Sequence, residues 1–408
     1  IKDSMTQISE NKEAVSKLKE DTAALQKRQN VLVGSETGNP ISCNDAYSAP
    51  LCGLTVYGKS TQDGTPSPDN PVPIVSAGDD GSVAVKVTGK NLLNPALFQN
   101  NKYQSFNAEA GYYGIDNSDV YWITGLQPCL PNTTYHFNKA PEGGCFYDKK
   151  KNPIGTVGFE YTFKTPVKCA YYCVNFSRNS AAYGTQVIAT VSKPATYSPY
   201  REQLLTLPTP NGLPGIPVTS DGNYTDQNGQ QWVCDEVDLE RGVKVQRVTT
   251  IVFSDQKKFT LRTTSISTKF RFSTEVNGLK ITNLTTADSS AFCSALVLGK
   301  QSSTWTTPNT FTIDADAMLY VRFENINSLN ELQQYLQRTP MSLTAILATP
   351  IETPLSPAEI AAYKALTAYA PDTVVQASDG AGIKLEYQRD VNIAIKNLED
   401  AIASMTTT

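Results

Sequence analysis

The sequence has one histidine, four methionines and three tryptophans, and only 18% of its 408 residues are charged. Each scarcity closes off some chemistry. With His136 alone there is no di-histidine metal pair, and a Ser-His-Asp relay would have to run through that one residue; a hydrogen-bonded histidine on a β surface is the default. Lys and Arg are scattered and the net charge is −4, so nothing neutralises a phosphate backbone and no nucleic acid is expected as a partner. No run reaches the ~18 apolar residues of a membrane span, so no membrane insertion is expected, and no stretch has the order of a secretion signal. The chain begins at Ile1 and not at a methionine, which reads as a missing N-terminal portion.

Eight cysteines are too sparse for a disulfide scaffold. Cys169 and Cys173 would share one face of a strand, a spacing that fits core packing, and free buried thiols made in a reducing cytoplasm are the expectation. Four thiolates for zinc would have to come from distant segments, so neither a metal nor another cofactor is assigned. The run Asp221, Asn223, Asp226, Asn228 lacks the spacing and terminal bidentate Glu of a calcium loop, and a hairpin turn explains it. No motif flags the carboxylate pair of a glycosidase, so no catalytic residue is named and enzymatic activity is not expected.

What is plentiful is Gly (25), Pro (24) and Tyr (20), a composition suited to many short strands and turns. The fold class is therefore mainly β, and the length suits two to four compact units. The most legible stretch is Leu207 to Val248. Four prolines keep its start extended. Asp226-Gln227-Asn228-Gly229 then forms a tight turn, and Gln231 to Val237 alternates as a half-buried strand does.

Within it, GIPVTSDGNYTDQNGQQWVCDEVDLERGVKVQRV resembles a segment of tail-associated structural and receptor-binding proteins of phages infecting Firmicutes. GTPSPDNPVPIVSAG running into GKNLL, and the ending ILATPIETPLS, are similar to the same group. The resemblance implies a scaffold on which variable β-modules are mounted. It divides the chain into scaffold parts at 34–90, 204–248 and 346–388, a first β-module at 91–203 and a second β-rich module at 249–345. The order PNTTYHF, CFYDKKKNPIG, TFKTPVKCAYYCVNFS in the first module resembles carbohydrate-binding, jelly-roll-like β-sandwiches. Its crowded aromatics and carboxylates suit stacking on sugar rings and bonding to hydroxyls; Tyr112, Tyr113, Trp122, Tyr147 and Asp148 are the candidate ligand residues. Core packing competes for these rings, and in Tyr112-Tyr113 or Tyr171-Tyr172 one ring should point in and one out.

Residues 1–33 read as a coiled-coil helix with Ile1, Ile8 and Val15 at a and Leu18, Leu25 and Leu32 at d. At 389–408 a second helix repeats Val391, Ile395, Leu398 and Ile402. Both seams are narrow, which favours oligomerisation over packing on the chain's own domains. Packing rules at a and d lean towards dimers; the resemblance implies a homotrimer. It implies in turn a tail fibre or receptor-binding protein of the virion, made in the host bacterial cytoplasm, with other tail proteins and a host cell-surface saccharide as partners. A purely structural baseplate, neck or tail component is the alternative. Local signals also start helices at Ser328-Leu329-Asn330-Glu331 and Ser356-Pro357-Ala358-Glu359, two capping boxes, the first running to Arg338 and the second to about Tyr369. A strand pair is expected at Thr373 to Gln376 and Ile383 to Tyr387, turning at Asp379-Gly380.

Overall fold

Val83, Val85 and Val87 alternate with Ala84 and Lys86 along Ser82–Gly89, and the valines are fully buried. That alternation sets the floor of the scaffold, because successive strand side chains point to opposite faces. The computed structural model describes residues 2–29, 31–98, 105–107, 112–114, 121–158, 160–177, 189–191, 197–264, 267–279, 291–299, 307–313 and 318–406. Among these, strands dominate and the protein is mainly β.

Two sheets enclose the scaffold core. The four-stranded sheet runs Glu202–Pro208, Ser82–Gly89, Thr373–Ala377, Ile41–Cys43. The seven-stranded sheet runs Val31–Gly38, Gly382–Asp390, Cys52–Tyr57, Glu236–Asp238, Val243–Phe253, Met341–Pro354, Ala291–Cys293. Their shared core joins Ile41, Leu54 and Val85 to Leu205, Leu207 and Val237, and to Leu355, Val375 and Ile383. Three separated stretches of chain thus bury one apolar centre, the dominant favourable contribution to such a fold.

The central stretch locks this scaffold at one corner. Tyr224 pairs with Trp232 across the hairpin and stacks on Tyr57 with ring centroids 4.5 Å apart. The Lys59 ammonium lies 4.9 Å from the Trp232 ring centroid and 3.0 Å from Asp226 Oδ2, which also accepts from Trp232 Nε1 at 3.1 Å. Asp226 Oδ1 accepts the amides of Asn228 and Gln230, so the carboxylate closes the turn as well as the cation–π contact. The phenol end of the Tyr224 ring abuts Gly382, where a Cβ would fall 2.5 Å from Cζ, so any other residue would force the ring to shift.

Each module hangs between two antiparallel neighbours. The first is entered after Ser82–Gly89 and left into Glu202–Pro208, with Thr88 opposite Glu202. In it, Tyr135, Phe137 and Phe163 from one sheet interlock with Phe146, Tyr172 and Phe176 from another; Phe163 and Tyr172 meet edge to face at 5.2 Å. The second is carried by the long pair Val243–Phe253 and Met341–Pro354, whose far end places Phe253 opposite Met341. Its core gathers Phe272, Phe311, Phe323 and Leu343 under the helix Leu329–Arg338, whose Leu332, Tyr335 and Leu336 are buried. Both Ser328 and Ser356 form the capping boxes that their spacing predicts.

Three local expectations are corrected. The first helix spans Lys2–Gln29 and not 1–33: Val31–Gly38 pairs along its length with Gly382–Asp390, so Leu32 belongs to a strand and not to the heptad. Thr373–Ala377 and Gly382–Asp390 do not pair with each other; the turn between them carries the chain from one sheet to the other. The helix from Pro357 ends at Lys364, short of Tyr369.

Candidate functional site

The two seams come first, because the sheet fixes where they emerge. Val31 stands opposite Asp390, and the helix Val391–Thr406 begins at the next residue, so both terminal helices meet the sheet at the same end. Asp390 Oδ1 caps this helix by accepting the Asn392 amide at 3.0 Å. Buried Asp45 holds the first turns in place: its Oδ2 accepts from Arg389 at 2.7 Å and its Oδ1 from Asn397. Beyond that anchor Ile395, Leu398 and Ile402 are exposed, as are Val15 and Leu18 on the first helix, while Val391 is half-buried. Ile1 lies outside the described residues, and so do the side chains of Ile8 and Leu25.

The aromatic candidates separate by strand face. Tyr147 is buried beside Ile123, Cys145 and Cys173, and its ring is core. Asp148 serves a turn, accepting the Asn152 amide at 2.8 Å and Asn152 Nδ2 at 3.0 Å, and these bonds lower its carboxyl pKa. Backbone pairing places Tyr112 and Tyr113 opposite Asn107 and Phe106, and Trp122 opposite Phe176; their side chains lie outside the described residues. Tyr172 is in the core, whereas Tyr171 turns to the opposite face. His136 accepts or donates at Nδ1 to Thr162 Oγ1, 3.0 Å away, in the strand Thr134–Phe137.

Tyr171 leads to a cleft of about 520 Å³ between the first module and the outer face of the four-stranded sheet. Leu204, Lys86 and Gln376 stand in register across three strands and form its floor. Leu92, Leu97, Pro128 and Tyr171 wall it from the module side. Lys149 closes one rim by bridging to Asp379 and, at 3.5 Å, to Asp79. On the floor, Gln376 is only 6% exposed and its Oε1 has no hydrogen-bond partner. Burial lowers the pKa of the neighbouring Lys86 ammonium, with the Glu202 charge pulling the other way. Among the described residues no hydrogen bond or ion pair engages that ammonium.

No family model, curated protein or solved structure matches this chain. The cleft therefore stands on its chemistry. Lys86 and the exposed Leu204 side chain give its floor one cation and an apolar surface, while Gln376 Oε1 is sealed beneath. Sequence reading missed Lys86, Leu204 and Gln376. Alternation in SVAVKVTG shows that Lys86 faces away from the core, but only the return of the chain through Glu202–Pro208 shows that a module covers it.

Among the described residues no group of three His, Cys, Asp or Glu side chains is arranged to hold a metal, and no helix is long and apolar enough to cross a membrane. The acidic run near Asp226 is engaged instead: Asn223 binds the Cys234 amide and Glu236, and Asp226 binds Lys59.

Proposed function

We propose that the chain is an oligomeric phage tail-fibre or receptor-binding protein that attaches a virion to host cell-surface glycan. One observation carries the reading. Along the seven-stranded sheet the pairs Gly382–Tyr57, Tyr57–Glu236 and Glu236–Val245 lie level. From that line Asp390 lies towards one end and Phe253 towards the other, so the helices with exposed seams and the second module occupy opposite ends of one sheet. A narrow apolar stripe left exposed on a helix, as at Ile395, Leu398 and Ile402, is a demand for another helix. The helices then form a coiled-coil stalk, trimeric as the sequence resemblance implies, and the first module is a jelly-roll-like sandwich that meets the glycan. Several weak sites on one stalk gain ~10²–10⁴ in avidity without chemistry.

Adsorption tests this. The purified protein, fluorescently labelled, is incubated with a panel of Firmicutes cells and with their extracted wall polysaccharide. Binding to a subset of strains, competed by the matching polysaccharide, supports attachment. Absence of binding to every strain and extract rejects it in favour of a baseplate, neck or tail component that contacts other virion proteins.

A further inference from the structure

We infer that Cys129 and Cys169 form a modification site, a dithiol that closes to a disulfide under oxidising conditions and locks the first module. The inference goes beyond the attachment reading, which supplies only the occasion: a protein made in a reducing cytoplasm and at work outside it.

Geometry comes first. The two sulfurs are 3.5 Å apart although the residues stand 40 positions apart in the chain. Their backbones are already fastened together. The amide of Cys129 donates to Ala170 O at 2.9 Å and continues the antiparallel pairing of Gln127 with Tyr172 and of Pro128 with Tyr171. Side-chain rotation alone then has to bring the sulfurs to the ~2.0 Å of a bond. Cys129 is half-buried and lines the cleft, so an oxidant meets it first, whereas Cys169 is buried. The hydrogen bond that Cys129 makes to Cys169 lowers the Cys169 pKa against the pull of burial, and raises that of Cys129. Cys169 is thus the better thiolate and Cys129 the more accessible sulfur. Cys145 and Cys173 also stand opposite each other on paired strands, but both are buried and neither lines the cleft.

With glutathione disulfide as the oxidant the step balances. The Cys129 sulfur, giving up its proton, attacks one sulfur of the reagent and expels one glutathione thiolate; the Cys169 thiolate then attacks the Cys129 sulfur and expels the second. The protein loses two protons and two electrons, and the reagent takes them up as two thiols. The new bond closes a loop that carries the strands Thr134–Phe137, Gly143–Tyr147, Pro153–Val157 and Thr162–Lys164. These supply Tyr135, Phe137, Phe146 and Phe163 to the module core, so the cross-link ties together the two ends of the segment that builds it. A closed loop of this length restricts the unfolded chain, and the folded module is stabilised in consequence.

The full chain is purified in dithiothreitol, which is then removed; one portion is kept reduced and another is oxidised with glutathione disulfide. Peptide mapping after denaturation and alkylation should find the peptides of Cys129 and Cys169 linked in the oxidised portion only. Calorimetry of the same two portions should show the thermal midpoint of the first module raised by about 5–10 °C on oxidation and restored by dithiothreitol. This comparison of one protein in two redox states needs no substitution and so cannot be confused with a folding defect. Cys129→Ser should keep the midpoint of the reduced parent and ignore the oxidant. A link between Cys145 and Cys173 instead, no link at all, or a linked protein with an unchanged midpoint each overturns the proposal. None of these readouts uses cells. Failure of the bond leaves attachment standing, and failure of the linked protein to adsorb sinks attachment and leaves the lock.

Discussion

Asp235 Oδ1 accepts the backbone amide of Arg247 at 2.7 Å, and that of Val248 at 2.8 Å, where the long strand Val243–Phe253 slips its register against Met341–Pro354. Gln246 pairs with Ile351 and Val248 with Ile346, so the ladder breaks between them and a side chain takes the amides it releases. This joint lies between the scaffold and the second module.

Burial pushes the Asp235 carboxyl up to about 7, although both amides pull the other way. A folded-state pKa above the unfolded value means that the folded protein holds the proton longer. Stability is then greatest below the unfolded value near 4 and falls as pH rises to about 7, by on the order of 4 kcal/mol at most. Asp235→Asn keeps an accepting oxygen and removes the titration. Urea midpoints between pH 4 and 8 should slope downward for the parent and lose that component in the variant; equal slopes would count against the assignment.

The proposed stalk predicts mass. Light scattering should give a trimer for the full chain and smaller species once residues 1–29 and 391–408 are both removed. Ile395→Asp with Leu398→Asp, which charges the exposed seam of the second helix, should act in the same direction. A monomer at every concentration tested would mean that the seams serve another protein.

Gly382→Ala should destabilise the scaffold by about 1–3 kcal/mol, since the new methyl enters the space of the Tyr224 ring. In a Tyr224→Leu background the same change should cost less. Chemical denaturation of the four proteins measures the difference, and strictly additive losses would show that the two residues do not meet.

Cys129 and Cys169 hold their sulfurs 3.5 Å apart, and Cys129 lines the cleft through which a reagent can reach it. Incubation with glutathione disulfide should oxidise this pair, each disulfide formed in the protein releasing two glutathione thiols. Intact mass then falls by two hydrogens, and Cys129→Ser prevents it. Cys43 and Cys293, both buried, should remain thiols. Mixed glutathione adducts in place of the internal bond would refute the pairing.

Much of this architecture was legible because its signals are local. The boxes at Ser328 and Ser356, the turn at Asp226 and the alternation of Val83, Val85 and Val87 need only a few neighbouring residues to specify them. What escaped depends on distant partners. Val31 to Val33 continue a heptad as well as they begin a strand, and the choice is made by Gly382–Asp390, far along the chain. Asp379-Gly380 reads as a hairpin turn, yet the strands on either side join different sheets, which periodicity cannot distinguish. Tyr147 and Tyr171 look equally available in the sequence; one is core and the other lines a cleft. That cleft needs Ser82–Gly89, Glu202–Pro208 and Thr373–Ala377 side by side, and no single stretch announces it.

Thr88 opposite Glu202, and Phe253 opposite Met341, mean that each module departs and returns on strands about 4.8 Å apart. A gap that short can be bridged by almost any insert whose own ends lie close together, or by a plain turn. The chain is therefore built as a holder with two inserts, and exchange at the first pair of borders replaces a whole module without disturbing the strands that grip it, whereas exchange at the second also replaces the edge strand Ala291–Cys293. Under the attachment reading proposed above, a lineage carrying this protein could change its target by recombination, in one step, where substitution in a continuous core would have to pass through unfolded intermediates.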